Sequence, residues 1–454
     1  MKNIYKPLYR VLSSLLLVAI IVTLFAIIWY NKLNVMLDKN FLLKGNYVII
    51  AVYAIIVIFS ITIFGGFKIG ISKKSNIIIS QTLGLFIANC IDIVLTVLIA
   101  GYLSYIPRIA MHYLQLFLIQ IPVTAVMSNF IISLFYKVFP PIRLLHIFGN
   151  HPNDLANKFA SRTDKYVIAG EISHDEDLEK IYSEIDKYDA VLINDIPNKT
   201  RNLIIKACFS KGKRAYFTPK ISDIIVRGSE NLEIFDTVLL FTKNSTMGLT
   251  QRIIKRISDI FLSSLGIIIT SPIMIITALA IFLYDRGPVL YRQTRYTING
   301  NKFKILKFRS MITDAEKDGK ARLATENDSR ITPIGKIIRA FRIDELPQFF
   351  NILKGDMSVV GPRPERPEIA DEYTKEVPEF AYRLQVKAGL TGYAQVFGKY
   401  NTTSYDKLKL DMVYVENCSI LLDIKLILLT LKVIFIKEST EGLEEGQTDR
   451  KSVV

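Results

Sequence analysis

Long apolar runs in the first third of the chain constrain its fold most strongly. Each is long enough to cross a bilayer, whose hydrocarbon core takes about 20 helical residues. The first run is too long and too poorly ended to be a cleaved signal peptide. We therefore predict a transmembrane block of four helices within residues 1–140. The four runs are residues 11–30, 47–67, 83–105 and 113–136.

Basic residues at the ends of these runs predict their orientation. Four spans place both ends of the block on one side, and eight basic residues flank that side against four on the other, which predicts cytoplasmic ends by the positive-inside rule. Asn89 and Asp92, inside the third run, are interpreted as a buried polar pair that holds the bundle together, and a functional role stays open. The eight are Lys2, Lys6, Arg10, Lys68, Lys73, Lys74, Lys137 and Arg143; the four are Lys32, Lys39, Lys44 and Arg108.

Residues 141–245 change to short β-rich runs that alternate with polar helical ones, one of them starting at Asn153. This alternation predicts a small parallel α/β domain of Rossmann type. A single glycine, Gly149, follows the first strand where a dinucleotide fingerprint needs three, so we favour a structural or regulatory role over cofactor binding. Asp175-Glu176-Asp177 resembles an acidic metal motif but is interpreted as the start of a solvated helix. The predicted strands are residues 144–148, 166–169, 190–193 and 215–217.

A fifth apolar run, residues 260–283, is interrupted by Ser271-Pro272. Basic residues flank both of its ends, which predicts that both ends stay on the cytoplasmic side. Pro272 removes a helical hydrogen bond, and Ser271 can satisfy a freed backbone group. We expect a re-entrant membrane hairpin over about residues 252–284, with a plain kinked span as the alternative. The flanking cations are Arg252, Lys255 and Arg256 before the run, and Lys302, Lys304, Lys307 and Arg309 after it.

Lys255, Asp259 and Ser263 recur every four residues just before the apolar run. This spacing places them on one face of a helix. We expect that face to anchor the base of the hairpin to the domain beneath it.

An acidic pair, Asp344-Glu345, lies between two apolar helical patterns. Thr332-Pro333 predicts the start of the first helix, with a hydroxyl at the N-cap and proline at the first position. A second helix is predicted to begin at Asp344, whose N-cap position would keep the carboxylate ionised. Such a carboxylate beside cations can act as a nucleophile or a metal ligand. These residues alone leave open whether Asp344 is only a cap. The first helix is predicted to bury Ile334, Ile337, Ile338 and Phe341 and to leave Lys336 and Arg339 outside that stripe.

The charge balance points to anionic partners. Over 454 residues the net charge is +15, and half of the residues are hydrophobic, which suits lipid headgroups, nucleotides or phosphorylated substrates. The basic residues are scattered beside membrane segments, which argues against nucleic acid. Cys90, Cys208 and Cys418 are far apart and predict neither a disulfide framework nor a metal site.

Taken together, the motifs of residues 251–437 resemble the monotopic phosphoglycosyl transferases, or bacterial sugar transferases. Three positions depart from the family pattern: Arg342, Ala388 and Tyr393. None of them is in the acidic pair, although the extra arginine could alter substrate preference. The motifs are Lys255-Arg256 with Asp259 and Ser263, Ser271-Pro272, Gly287-Pro288-Val289, Lys307 to Met311, Arg339 with Asp344 to Gln348, Gly361-Pro362-Arg363-Pro364, Gly389 to Gly392, and Tyr405 with Asp406, Asp411 and Tyr414.

The resemblance implies an architecture for the whole chain. It combines a membrane α-helical bundle, a Rossmann-like α/β domain and a mostly α catalytic domain over residues 250–437 that carries the re-entrant helix hairpin and interfacial amphipathic helices. Residues 420–436 are expected to form one such helix, and residues 438–454 a polar tail. Four spans, a Rossmann-like domain and a catalytic unit are similar to the long-form members that initiate exopolysaccharide, capsule or O-antigen synthesis.

The resemblance also implies chemistry. Family members transfer a phospho-sugar from a UDP-sugar to polyprenyl phosphate, here expected to be undecaprenyl phosphate, and require Mg²⁺. Asp344 would be the nucleophile, and Glu345 would assist as a metal ligand or in proton transfer, so that both would hold the metal. Arg339 and Arg363 would bind phosphate, together with Lys307 and Arg309.

The same resemblance places the chain in the bacterial inner membrane, with the catalytic domain on its cytoplasmic face and anionic lipids around it. The sugar, the pathway, a ligand of the α/β domain and the oligomeric state, a homodimer included, stay open. Two other classes stay open as well. A membrane-anchored regulator would use the acidic pair only as a cap, and a transporter would need more intramembrane charge than four spans carry here.

Overall fold

The computed structural model describes residues 5–37, 41–42, 44–149, 155–234, 236–242, 247–313, 328, 330–398 and 402–434. Within it the chain forms two units, Met1–Thr218 and Pro219–Val454. The predicted tail over residues 438–454 lies outside the described residues.

Four long apolar helices form the first part of the first unit, as predicted. They are long and apolar enough to cross a membrane, and they pack around an apolar core that includes Leu17, Phe25, Tyr53 and Tyr113. The rings of Phe25 and Tyr53 stack with centroids 3.9 Å apart. The helices are α1 (Tyr5–Ile28, continued to Met36 by tighter and wider turns), α2 (Lys44–Phe64), α3 (Lys74–Ala100) and α4 (Ile106–Val138).

Polar side chains link three of these helices. Tyr53 donates to the Asn89 carbonyl at 2.8 Å, Asn89 donates to Gln120 at 3.0 Å, and Gln120 donates back to the Tyr53 hydroxyl at 2.8 Å. Tyr113 donates to Asp92 at 2.6 Å. Asn89 and Asp92 are therefore each bonded to a neighbouring helix, which agrees with their interpretation as residues that hold the bundle together.

A four-stranded parallel sheet follows the bundle, in the order β2-β1-β3-β4. β3 is buried along its whole length, as expected of a strand covered on both faces. The predicted α/β domain with a parallel sheet is thus confirmed, and its Rossmann type stays a prediction. Its elements are β1 (Ile142–Phe148), α5 (Leu155–Ala160), β2 (Tyr166–Ser173), α6 (Leu178–Ile185), β3 (Ala190–Asn194), α7 (Asn198–Ser210) and β4 (Arg214–Phe217).

The second unit begins with elements that lie before the family-like region. Helix α8 (Ile221–Arg227) buries Ile221 and Ile224 in the main core of this unit, and an antiparallel hairpin follows, β5 (Glu230–Ile234) and β6 (Thr237–Phe241). The sheet of the first unit therefore ends at β4.

Helix α9 (Leu249–Asp285) carries the fifth apolar run and contains Pro272. Its 37 residues correspond to about 55 Å of helix at 1.5 Å per residue. The Ser271 hydroxyl donates a hydrogen bond to the Ile268 carbonyl at 2.9 Å. The re-entrant arrangement concerns the place of α9 in a bilayer and stays a prediction.

Short elements around one core make up the rest of the second unit. They are the antiparallel pair β7 (Leu290–Tyr296) and β8 (Lys302–Phe308), helices α10 (Pro333–Ala340) and α11 (Gln348–Lys354), β9 (Ser358–Val360), α12 (Pro367–Glu376), β10 (Gly389–Thr391), α13 (Tyr393–Phe397), α14 (Ser404–Glu416) and α15 (Ile420–Ile434).

Helix α15 corresponds to the predicted amphipathic helix, of which residues 435 and 436 lie outside the described residues. Leu426 and Leu429 are buried against the domain, whereas Leu421 is 78% exposed. Asp423 faces the domain and contacts Lys255.

Candidate active site

The acidic pair lies in the turn between α10 and α11. Thr332 caps α10 as predicted, since its hydroxyl accepts from the Gly335 amide at 2.9 Å. Of the predicted buried stripe, Ile338 is buried and Ile334 packs against its cluster. Ile337 and Phe341, however, are 60% and 66% exposed. Helix α10 has eight residues and buries only the side that faces α9 and β8. The predicted burial of Ile337 and Phe341 was therefore wrong.

Asp344 is not the N-cap of the second helix, which corrects the sequence-based prediction. Ile343–Glu345 forms a 3-10 turn, and α11 begins only at Gln348. In a helix capped by Asp344, Pro347 would stand at the N3 position, where it has no N–H to donate to the capping side chain. Arg342, with φ of 55°, turns the chain from α10 into this segment.

Glu345 is held by two cations at one oxygen. Lys307, from β8, donates to Oε1 at 2.9 Å, and Arg363 donates to the same atom at 2.8 Å. Burial alone would raise the pKa of Glu345, but Arg363, Lys307 and Arg342 together lower it well below its usual range. In turn, Glu345 raises the pKa of Arg363. Glu345 is thus a fixed carboxylate that keeps two cations in place.

Asp344 has a different environment from its neighbour. Its carboxylate makes no hydrogen bond or ion pair with any residue that the structure describes. Burial raises its pKa, as does the adjacent Glu345, while Lys307, Arg339 and Arg363 oppose the rise. A carboxylate that is partly desolvated, unbonded and surrounded by cations is available to react or to bind a metal.

Arg363 lies in a backbone segment fixed by two glycines. The Gly361 amide donates to the Thr391 carbonyl and the Gly389 amide donates to the Pro362 carbonyl, both at 2.9 Å. A Cβ at Gly361 would lie 2.2 Å from the Lys387 carbonyl oxygen, closer than any side chain allows. The close approach of β9 and β10 therefore requires glycine and sets the position of Arg363.

A buried ion pair contacts the backbone segment that carries Arg363. Arg383 donates to the Arg363 carbonyl at 2.8 Å and pairs with Asp411 at 2.7 Å. Both side chains are at most 3% exposed. Glu365 pairs with Lys407 at 2.7 Å beside them. Sequence reasoning assigned no role to Arg383 or Glu365, and their spacing along the chain carries no signal of this contact.

The other predicted phosphate-binding residues divide into two groups. Arg339 is half-buried and close enough to lower the pKa values of Asp344 and Asp328. Arg309 instead pairs with Asp285, the last residue of α9. The structure therefore brings Lys307, Arg339 and Arg363 to the acidic pair, whereas Arg309 contacts the end of the membrane helix.

The base of α9 contacts the domain through the face that the sequence singled out. Lys255 donates to Asp423 at 2.6 Å and to the Val360 carbonyl at 3.1 Å. Asp259 accepts from the Ser358 hydroxyl at 3.0 Å and the Val359 amide at 2.9 Å. Ser263 is fully buried on the same face.

The acidic pair is also the only pair of adjacent carboxylates among the residues brought to this site. Within the described ranges, no group of three or more His, Cys, Asp or Glu side chains could hold a metal ion. Mg²⁺ is nevertheless commonly held by one or two carboxylates together with substrate phosphates. The unbonded Asp344 carboxylate beside Glu345 fits that mode.

The fold and this site define a class: a membrane-associated protein whose acidic pair and converging cations are arranged to handle phosphate. The family model for the bacterial sugar transferases matches residues 250–437. This match includes α9, the acidic pair and the Arg363 segment.

Several curated proteins are similar to the same region. The uncharacterized sugar transferase EpsL of Bacillus subtilis is 38% identical over 199 residues, which are 44% of this chain and 95% of that protein. The chain therefore belongs to the bacterial sugar transferase family.

Two longer relatives carry more specific names. The UDP-N-acetylgalactosamine-undecaprenyl-phosphate N-acetylgalactosaminephosphotransferase of Aeromonas hydrophila is 43% identical over 184 residues, 40% of this chain and 43% of that protein. The UDP-glucose:undecaprenyl-phosphate glucose-1-phosphate transferase of Klebsiella pneumoniae is 35% identical over 294 residues, 62% and 61% of the two chains. The matches thus span about half the length of these two relatives.

Proposed function

We propose that this protein transfers a sugar phosphate from a UDP-sugar to a polyprenyl phosphate, expected to be undecaprenyl phosphate, with release of UMP. The observation that carries the proposal is the contrast within the acidic pair. Glu345 is neutralised by Lys307 and Arg363, whereas Asp344 has cations nearby but no bonded partner. The names of the relatives from Aeromonas and Klebsiella support the same reaction class.

In the first step, an Asp344 carboxylate oxygen attacks the β-phosphorus of the UDP-sugar. The new bond joins that oxygen to phosphorus, and the bond from phosphorus to the bridging oxygen breaks, so UMP leaves with the bridging oxygen. Arg339 and Arg363 would bind the diphosphate, because a planar guanidinium offers two parallel donors to phosphate oxygens. The product is a phosphoglycosyl-aspartate.

In the second step, a terminal oxygen of polyprenyl phosphate attacks the same phosphorus. The bond to the Asp344 oxygen breaks, which regenerates the carboxylate and yields polyprenyl-diphosphate-sugar. Glu345 keeps Lys307 and Arg363 in position through both steps, so the approaching phosphate meets preorganised cations.

Asp344 and Glu345 are the residues that would hold Mg²⁺. The bound ion would supply neutralisation of the diphosphate charge before an anion approaches it. The chain's own contribution is the pair of carboxylates and the three cations around them.

The contacts of α9 support the re-entrant arrangement. Lys255 near its start pairs with Asp423, and Asp285 at its end pairs with Arg309. Both partners belong to the second unit, although about 45 Å of helix separates residues 255 and 285 at 1.5 Å per residue. A helix that enters the bilayer and returns would keep both ends on this one domain, whereas a plain span would carry one end away.

Exposed apolar side chains next to the site suit a lipid surface. Ile337 on α10, Phe341 just after it and Phe350 on α11 are 47% to 66% exposed. Exposed apolar side chains of this kind favour contact with a membrane, and that contact would bring the acidic pair to the depth of the lipid phosphate. We place this domain on the cytoplasmic face of the inner membrane, at the first membrane step of exopolysaccharide, capsule or O-antigen synthesis.

The substitution Asp344→Asn tests the proposal, because it removes the nucleophile and keeps the shape. We expect no UMP release when the full chain is mixed with Mg²⁺, polyprenyl phosphate and a panel of UDP-sugars. Arg363→Ala should only slow release, by about 100-fold, since one preorganised donor is lost. Glu372→Gln, on the exposed side of α12, is the control and should keep full activity.

Retained turnover in Asp344→Asn would contradict the covalent mechanism. Absence of UMP release from the unsubstituted chain with every UDP-sugar would contradict the reaction class and favour a membrane-anchored regulator. The panel also identifies the sugar, for which no specific pocket residues can be named.

A further inference from the structure

A basic cleft lies in the first unit, where the helical bundle meets the parallel sheet. Four cationic side chains line it: Lys6, Arg10, Lys165 and Arg214. Its volume is about 130 Å³, which is several times the roughly 30 Å³ that one water occupies. The cleft is separate from the acidic pair, which belongs to the other unit.

The cleft lies at the end of the transmembrane helices. Lys6 and Arg10 are in the first two turns of α1, and Phe135 and Phe139 close the last turn of α4 beside them. The Lys6 ammonium is 5.8 Å from the Phe139 ring, and the Arg10 guanidinium is 5.9 Å from the Phe135 ring. Because a membrane helix reaches the headgroup layer at its ends, this is the depth of lipid phosphates.

The sheet provides the other two cations. Lys165 immediately precedes β2, and Arg214 is the first residue of β4. Three segments that are distant in sequence thus place four like charges around one space. Burial lowers the pKa of Lys165, with the nearby Arg162 and Arg10 acting in the same direction. This crowding of cations is unfavourable unless an anion shares the space.

The described residues that line the cleft do not provide that anion. Among the described residues, none of the four cations of the basic cleft forms an ion pair with a carboxylate. Asp164 is the only acidic residue among the lining residues that the structure describes. It already accepts from Arg162 at 2.8 and 2.9 Å and from Tyr136 at 2.8 Å. The Asp164 carboxylate is therefore already neutralised by Arg162 and does not balance the four cations of the basic cleft.

We propose that the basic cleft binds a phosphate group at the membrane surface, carried either by an anionic lipid headgroup or by a soluble phosphate. Arg10 and Arg214 would supply guanidinium forks, which suit phosphate oxygens, and Lys6 and Lys165 would add point charges. The bound phosphate would join the bundle to the sheet. This proposal does not depend on the proposed transfer reaction.

The test uses the full chain in nanodiscs and measures how fast Lys165 is acetylated by an amine-reactive ester. Peptide mass spectrometry gives the rate relative to Lys199, which is exposed on α7. Three conditions are compared: phosphatidylcholine alone, phosphatidylcholine with phosphatidylglycerol, and phosphatidylcholine with inorganic phosphate. We expect the phosphate-bearing probe to slow labelling of Lys165 by about fivefold, the factor that one basic residue typically contributes at an anionic surface.

The conditions distinguish the two sources. Protection by phosphatidylglycerol alone assigns the cleft to a lipid headgroup, and protection by inorganic phosphate alone assigns it to a soluble phosphate. Arg214→Glu should abolish the protection, and Lys137→Glu, a charge reversal on the same membrane flank but outside the cleft, should keep it. Arg214→Gln provides a milder second variant if charge reversal impairs folding.

Two results would overturn the proposal. One is equal labelling of Lys165 in all three conditions. The other is protection that survives both Arg214→Glu and Arg214→Gln in protein whose thermal melt matches that of the unsubstituted chain.

Discussion

At the scale of single residues, two neighbouring carboxylates have opposite environments. Cations bonded to Glu345 lower its pKa, while burial raises the pKa of Asp344. Pairs whose pKa values are moved apart in this way commonly divide the chemical roles between them. This contrast supports the proposed roles, in which Glu345 positions the cations and Asp344 reacts.

Lys307→Gln should change the pH dependence of the reaction. In the proposed mechanism Asp344 attacks only when deprotonated, so activity should fall as the pH falls through its pKa. Lys307 is the strongest influence that opposes the raised pKa of Asp344, and its loss should raise that pKa further. We therefore expect the acid limb of the kcat/KM profile for UMP release to move to higher pH.

The matched control for this profile is Lys336→Gln, an exposed lysine on α10. Its acid limb should coincide with that of the unsubstituted chain. An unchanged acid limb in Lys307→Gln, with only a slower rate, would contradict the assignment of Asp344 as the group that titrates.

We expect the buried pair of Arg383 and Asp411 to affect the free energy of unfolding, because each of these charges has lost its contact with water. Removing one partner leaves an uncompensated buried charge, which typically costs about 3–5 kcal/mol. Arg383→Met alone should therefore lower the thermal midpoint of the full chain in detergent sharply. The double variant Arg383→Met with Asp411→Leu should recover most of the loss, and a double variant no more stable than the single one would refute this explanation.

The sequence identified the acidic pair, Lys307, Arg339 and Arg363, because motif spacing and charge are local properties. It could not identify Arg383 or Asp285 as partners, since those contacts depend on how distant segments pack. Arg309 is a residue whose observed contact differs from the predicted one. The family resemblance implied phosphate binding by Arg309, which stays a prediction, while the fold pairs it with Asp285.

At the scale of elements, a sequence signal predicted the structure correctly where it depends on a single helix or strand. The hydroxyl cap and proline of α10 predicted its start correctly, and the buried runs predicted the four parallel strands. The start of α11 was predicted wrongly because apolar periodicity alone placed it at Asp344, whereas Pro347 has no N–H to donate to a capping Asp344 side chain. The helix begins instead at Gln348.

The re-entrant arrangement of α9 can be tested by labelling with a membrane-impermeant maleimide. In a chain with Cys90→Ala, Lys302→Cys should not react in intact cells, because β8 would stay on the cytoplasmic side. Leu42→Cys, between α1 and α2 and 80% exposed, should react as the positive control. Both should react after the cells are opened. Labelling of Lys302→Cys in intact cells would establish a plain span instead.

At the scale of the whole molecule, the division into two units indicates where the chain can be shortened. EpsL matches only 199 residues of this chain yet is covered over 95% of its length, so a protein of this family can be little longer than the region that the family model matches, residues 250–437. Residues 219–454, inserted in membranes, should therefore keep UMP release. The same fragment with Asp344→Asn should have none, and an inactive 219–454 fragment that inserts normally would show that the first unit is required.

The starting point of such a fragment should affect its stability. A fragment of residues 250–454 lacks α8, and with it the burial of Ile221 and Ile224 in the main core. Full burial of one such side chain contributes about 1.5–3 kcal/mol. Its thermal midpoint should therefore be lower than that of the 219–454 fragment by about 5 °C or more, and equal midpoints would count against a structural role for α8.

One hydrophobic cluster connects α9 to the segment that carries the acidic pair. Met274 and Ile281 of α9 pack with Ile343 and Leu346, the residues on either side of the acidic pair. Helix α9, which is long and apolar enough to lie in a bilayer, is therefore packed directly against the segment that carries Asp344. We expect a change in bilayer thickness that tilts or bends α9 to shift Asp344 as well, so the rate of UMP release should depend on the surrounding lipid.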